Sequence, residues 1–145
     1  MSVYLKYSLI LFSIFAGLTI YLIWRDTSSI FYQWAVQLGW SDNVQNVRDL
    51  MSSVHMPAWF VYALPDGLWM FAFVLFMMAV WDFRFSGPSR VWILASVFAG
   101  LFFEIGQAFI SGMGAFDWMD MICMAVGAIL PILLFTKNKV YEKVF

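Results

Sequence analysis

Four runs of apolar residues, each about 20 long, occupy most of the 145-residue chain, and a helix of that length crosses roughly 30 Å of hydrocarbon. They fall at residues 3–24, 59–81, 91–110 and 119–135. Composition agrees with a membrane as solvent. Hydrophobic residues make up 63% of the chain and charged residues 12%, against about 45–50% and about 25% in a soluble domain. The first run exceeds a signal-peptide core and lacks a small-residue cleavage site. Tyr21, Trp24 and Arg25 instead give it an interfacial end. The expected fold is therefore all-α: a polytopic membrane protein with four transmembrane helices, forming a single transmembrane domain over residues 1–145, and an amphipathic, non-cytoplasmic first loop.

Basic residues set the expected orientation. Lys6, Arg84, Arg90, Lys137, Lys139 and Lys143 lie at the N-terminus, second loop and C-terminus, whereas the first loop holds Arg25 and Arg48 and the third holds none. That asymmetry places both termini in the cytoplasm. The opposite side carries Asp26, Asp42, Asp49, Asp117 and Asp120 and is acidic.

Interfacial helices are expected within residues 27–56 of the first loop. Asp26 or Thr27 can cap one whose apolar positions are Ile30, Phe31, Trp34, Ala35 and Leu38. A second runs from Asn43 to Ser53, with Val44, Val47, Leu50, Met51 and Val54 on its apolar side and Pro57 helping to end it. Such a loop is either a lid packed over the bundle or a lipid-facing or substrate-gating lid.

Acids inside the spans carry the chemical information. Asp66 lies about eight residues into the second run, some 10 Å below its edge at about 1.5 Å per residue, where an unpaired carboxylate is strongly unfavourable. Pro65 and Gly67 flank it, so the segment is either a buried kink or a surface turn before a shorter span beginning near Leu68. Glu104 sits at comparable depth in the third run, and Gly100, Glu104, Gln107 and Ser111 recur at helical spacing to form a narrow polar stripe. Asp117, Asp120, Met124, Gly127 and Pro131 extend it onto the fourth helix, while Ser13, Gly17, Tyr21 and Arg25 form a groove on the first. These spacings predict an outward-facing polar pocket in which Asp66, Glu104 and Asp120 surround Gln107, beside Asp117 and Tyr21, with Arg25, Arg48 and His55 as available partners. Carboxylates that close together require a proton, an Arg, a metal ion or a cationic ligand. A satisfied network that fixes helix register is the structural alternative.

Several function classes are excluded or unsupported. A formal net charge of −1 argues against a nucleic-acid partner held by charge neutralisation, and one Cys with one His leaves no disulfide framework or Cys/His zinc site within a chain. Cys123 and the Met-rich stretches read as packing. No phosphate-binding glycine motif or nucleophile elbow is present.

Glu104-Ile105-Gly106-Gln107, followed by Asp117, Asp120 and Gly127, resembles the VanZ-like family of small bacterial membrane proteins. The family pattern combines a Glu with a Gln three residues later, a polar loop, an Asp opening the last helix and small residues on that helix. Glu104, Gln107, Asp120 and Gly127 match it. The chain departs from it by lacking an Arg between Ser111 and Trp118 and by placing Met124 where the family has an Asn. The resemblance implies a protein of the bacterial cytoplasmic membrane and cell envelope, in a family with some members linked to low-level teicoplanin resistance.

The leading expectation is binding of a lipid-linked or amphiphilic ligand in the acidic pocket, contributed to by Tyr21, Arg25, Arg48, His55, Asp66, Glu104, Gln107, Asp117 and Asp120. A membrane enzyme doing acid/base chemistry on a lipid headgroup, with Asp66, Glu104 and Asp120 as candidate catalytic groups, is the alternative. A proton- or cation-conducting or partner-stabilising subunit is a third. A divalent cation is one candidate cofactor. Membrane lipids, a second copy and a membrane partner are the candidate partners.

Overall fold

The computed structural model describes residues 3–83, 87–109 and 116–136. Arg84, Ile110, Ser111, Lys137, Lys139 and Lys143, which entered the sequence reading, lie outside them. Seven helices occur among the described residues: α1 (Val3–Trp24), α2 (Ile30–Gln37), α3 (Ser41–Leu50), α4 (Ala58–Tyr62), α5 (Leu64–Val80), α6 (Gly87–Phe109) and α7 (Trp118–Phe135). Four spans, formed by α1, α4 with α5, α6 and α7, are long and apolar enough to cross a membrane. The protein is an all-α, multi-pass membrane protein built as a four-span helical bundle.

The second span is interrupted where its sequence cannot continue a helix. Pro65 has no N–H to offer the carbonyl of Val61, so the helical ladder loses a bond there and a turn at Ala63 separates α4 from α5. The break is internal. Ala63, Pro65 and Gly67 are all buried, and Leu64 to Gly67 already belong to α5. The surface turn with a span starting near Leu68 is therefore not what forms; the kink is buried, one turn earlier than Gly67.

Helix α5 is the centre of the bundle, packed most extensively on α7 and next on α1. Its Val74, Leu75 and Met78 are fully buried and form the core with Ile10, Ile93, Met124 and Phe135. Close approach of α5 and α7 depends on glycine. A Cβ on Gly127 would fall well inside contact distance of the Gly67 carbonyl oxygen, and one on Gly67 would meet the Cys123 carbonyl oxygen at 2.8 Å. Pro131, buried within α7, also removes the hydrogen bond that the Gly127 carbonyl would accept. On the α1 side Gly17 takes the indole of Trp69, whose Nε1 donates to the Ile14 carbonyl at 3.3 Å. The expected groove of small residues on α1 is filled in this way.

At the other end of α5 the chain leaves through a Schellman motif. Phe83 N donates to the Met78 carbonyl at 2.8 Å and Asp82 N to Ala79 at 3.1 Å, with Asp82 and Phe83 in left-handed backbone. Lys6 is buried there, its Nζ 3.6 Å from the centroid of the Phe83 ring in a cation–π contact.

The first loop folds into two helices, with three corrections to the expected details. Helix α2 starts after Ser29, whose side chain makes no cap bond, while Asp26 Oδ1 accepts from Ser28 N at 2.7 Å and closes an upstream turn. Helix α3 starts at Ser41 and stops at Leu50. Pro57, instead of ending α3, stands at the N-cap of α4. Only Ala35 of the expected α2 stripe is buried and Phe31 half-buried. Ile30, Trp34, Leu38, Val47 and Leu50 stay exposed, as fits helices lying against a lipid interface.

Candidate functional site

At the end of the bundle that carries α2 and α3, four spans contribute walls to one polar cavity of about 660 Å³. Helix α1 supplies Tyr21 and is followed directly by Arg25, the α4–α5 break supplies Tyr62 and Asp66, α6 supplies Gly100, Phe103, Glu104 and Gln107, and Phe116 and Asp117 lead into α7 with Asp120 and Met124. Seven of the nine sequence candidates meet here: Tyr21, Arg25, Asp66, Glu104, Gln107, Asp117 and Asp120.

Arg25 is the cation of the cavity. Its guanidinium lies over the Tyr21 ring, 4.3 Å from the centroid, and over that of Tyr62 at 4.8 Å. Its Nη2 donates to the Tyr62 carbonyl at 3.0 Å, so the interrupted span presents an acceptor that the guanidinium uses. Its Nε is buried without a hydrogen-bond partner.

Glu104 is buried and doubly engaged. One carboxylate oxygen accepts from Gln107 Nε2 at 3.0 Å, and the other accepts from the backbone N of Asp117 at 3.1 Å. The first bond joins neighbours one helical turn apart; the second ties α6 to the start of α7. Asp117 caps α7 in turn, its Oδ1 accepting from Met119 N at 2.8 Å. These three residues thus behave as the register-fixing network that the sequence left as the structural alternative.

Asp120 and Asp66 are different. Asp120 is only 9% exposed and its Oδ1 is buried with no hydrogen-bond partner. Asp66 is half-buried and feels the charges of Arg25 and Glu104, while Asp120 feels Asp66, Glu104 and Asp117 and, more weakly, Arg25. Among the described residues lining the cavity, four carboxylates face one guanidinium. Their charge has to be balanced by protons or by a cation. The described residues contain no group of three His, Cys, Asp or Glu that could hold a metal ion.

Arg48 and His55 are placed elsewhere. Arg48 Nη1 donates to the carbonyls of Leu22 at 2.8 Å and Arg25 at 2.9 Å, closing the C-terminal end of α1. His55 is exposed in the α3–α4 connection, its Nδ1 3.2 Å from the Ser53 carbonyl. Neither lines the cavity. Cys123 serves as a packing surface, its backbone and Cβ lying against Gly67.

A second cavity, absent from the sequence reading, adjoins the first. It is an open groove of about 710 Å³ between α1, α5 and α6, edged by Phe31 of α2 and Met124 of α7, and is lined mainly by apolar groups, including Ile10, Ile14, Leu18, Phe73 and Phe76. Asp66, Gly100 and Met124 line both cavities. Met70 and Met124 pack over Gly100 at this seam, with Met124 Sδ 3.8 Å from where a Gly100 Cβ would lie. Tyr21 stacks on Trp69 at 5.0 Å and Phe31 of α2 meets both rings, so aromatic side chains form one shoulder of the seam. Tyr62 and Phe103, which sequence reasoning missed, sit four residues before Asp66 and beside Glu104. Only their spacing from an intramembrane acid could have flagged them.

Compared with known proteins, the chain matches no family model and has no significant match among curated proteins or solved structures.

Proposed function

We propose that this multi-pass membrane protein is a VanZ-like component of the bacterial cell envelope that binds a lipid-linked or amphiphilic molecule. The observation that carries the reading is the junction of the two cavities. A polar chamber and an apolar chamber share Asp66, Gly100 and Met124, so one molecule with a polar head and a hydrocarbon tail satisfies both. The head occupies the acidic chamber and the tail follows α1 and α5 toward lipid. Glu104, Gln107 and Asp120 on the walls of the polar chamber support the family resemblance. The asymmetry of basic residues supports an orientation with both termini in the cytoplasm of the bacterial inner membrane and the acidic chamber near the outer leaflet.

The test fills the seam. Gly100→Leu projects a side chain between the chambers, where its Cβ meets the movable ends of Met70 and Met124 and no backbone. Lipid retained by the purified chain is measured by native mass spectrometry, with helicity followed by circular dichroism. Retention should fall about tenfold, equivalent to about 1.4 kcal/mol, with helicity unchanged. Undiminished retention in a correctly folded variant would refute the reading.

A further inference from the structure

The polar chamber is unbalanced in its hydrogen bonding as well as its charge. Each oxygen of Glu104 already accepts one hydrogen bond, from Gln107 and from the Asp117 backbone, and Asp117 caps its own helix. Asp120 is buried, lines the chamber, and keeps one oxygen without a donor. A carboxylate oxygen withdrawn from water needs a donor, and a charged donor satisfies it best. Arg25 acts on Asp120 through its charge but makes no hydrogen bond to it: the guanidinium lies over two tyrosine rings, its Nη2 donates to the Tyr62 carbonyl and its Nε has no partner. Asp66 adds a second carboxylate at the seam where a tail would leave for the apolar chamber.

We propose that the amphiphile has a primary-amine head, whose ammonium pairs with the Asp120 carboxylate on the chamber wall and faces Asp66 while its acyl chain lies in the apolar chamber; this rests on the two chambers being one amphiphile site. A primary ammonium brings three N–H donors together with its charge. A trimethylammonium head has the charge without a donor, and a phosphoglycerol head is anionic. The chamber should therefore distinguish lipids that differ only in N-methylation.

The full chain in detergent is offered phosphatidylethanolamine, phosphatidylcholine and phosphatidylglycerol with identical acyl chains, and occupancy is read by native mass spectrometry. Phosphatidylethanolamine should be preferred over each of the others by about tenfold or more, the scale of one charge-assisted hydrogen bond. Dodecylamine should displace it, whereas tail-free phosphoethanolamine should not. Asp120→Asn should weaken the preference for phosphatidylethanolamine over phosphatidylcholine by about fivefold or more, the charge on the acceptor being gone. Asp66→Asn, on a different helix, weakens the same preference and substitutes if the first variant fails to fold. Equal binding of the three lipids by the wild-type chain, or a preference for phosphatidylglycerol, overturns the amine assignment and leaves the amphiphile site standing. Binding of none of them removes the amphiphile site itself. Displacement by phosphoethanolamine as effective as by dodecylamine overturns the role of the tail and makes the ligand a free amine.

Discussion

Gly127→Ala should destabilise the bundle and loosen the candidate site together. The new Cβ would fall inside contact distance of the Gly67 carbonyl oxygen, 3.0 Å from the Gly67 carbonyl carbon and 3.2 Å from Phe71 N. All three are backbone atoms within α5, so no rotamer change relieves the clash. The two helices must separate by about an ångström, with about 1–3 kcal/mol of strain and lost packing. Asp120 lies two turns before Gly127 on α7, and Asp66 neighbours Gly67 on α5, so the same displacement widens the chamber. Reversible unfolding in mixed detergent and dodecyl sulfate measures the first effect, and lipid occupancy the second. Gly106→Ala is the internal control, since nothing lies within 4 Å of its Cβ position; it should be neutral or stabilising by up to about 1 kcal/mol. Gly67→Ala opens the same contact from the other side, so the double variant should cost less than the sum of the singles. A Gly127→Ala chain as stable as wild type would refute the claim that backbone contact sets the α5–α7 distance.

Glu104→Ala leaves Gln107 Nε2 and the Asp117 N–H without their acceptor and should cost about 1–3 kcal/mol in the same unfolding assay. Arg48→Ala frees the carbonyls of Leu22 and Arg25; after allowance for partial exposure it should cost about 1–2 kcal/mol and raise hydrogen exchange at the end of α1. The Ser28 N–H donated to Asp26 holds that carboxyl below its ordinary value of 3.8. The turn is thus fully supported above that value and loses this support as pH falls through the lowered one. Hydrogen exchange across residues 26–31, corrected for intrinsic rates, should show an acid-side loosening that Asp26→Asn abolishes.

The four spans were legible because length and apolar composition act locally: a segment of about 20 hydrophobic residues has few stable forms in lipid other than a helix. The polar stripe was legible for the same reason, since Gly100, Glu104 and Gln107 share a face of any helix that contains them. Spacing also pointed to the inward acids, and seven of the nine candidate residues meet at one cavity. What spacing could not decide was partnership. Arg25 and Arg48 read alike in the sequence, yet one lies over Tyr21 and Tyr62 in the chamber and the other closes α1 from outside it. Glu104 and Asp120 read alike too; Gln107 stands one turn along the same helix as Glu104, but only the packing of α6 against the start of α7 adds the Asp117 N–H to it and leaves an oxygen of Asp120 with no donor. The apolar chamber was invisible because it belongs to no single helix; it is the space left between α1, α5 and α6. Hydrophobic length is a property of a segment, whereas a cavity and a hydrogen-bond partner are properties of how segments meet.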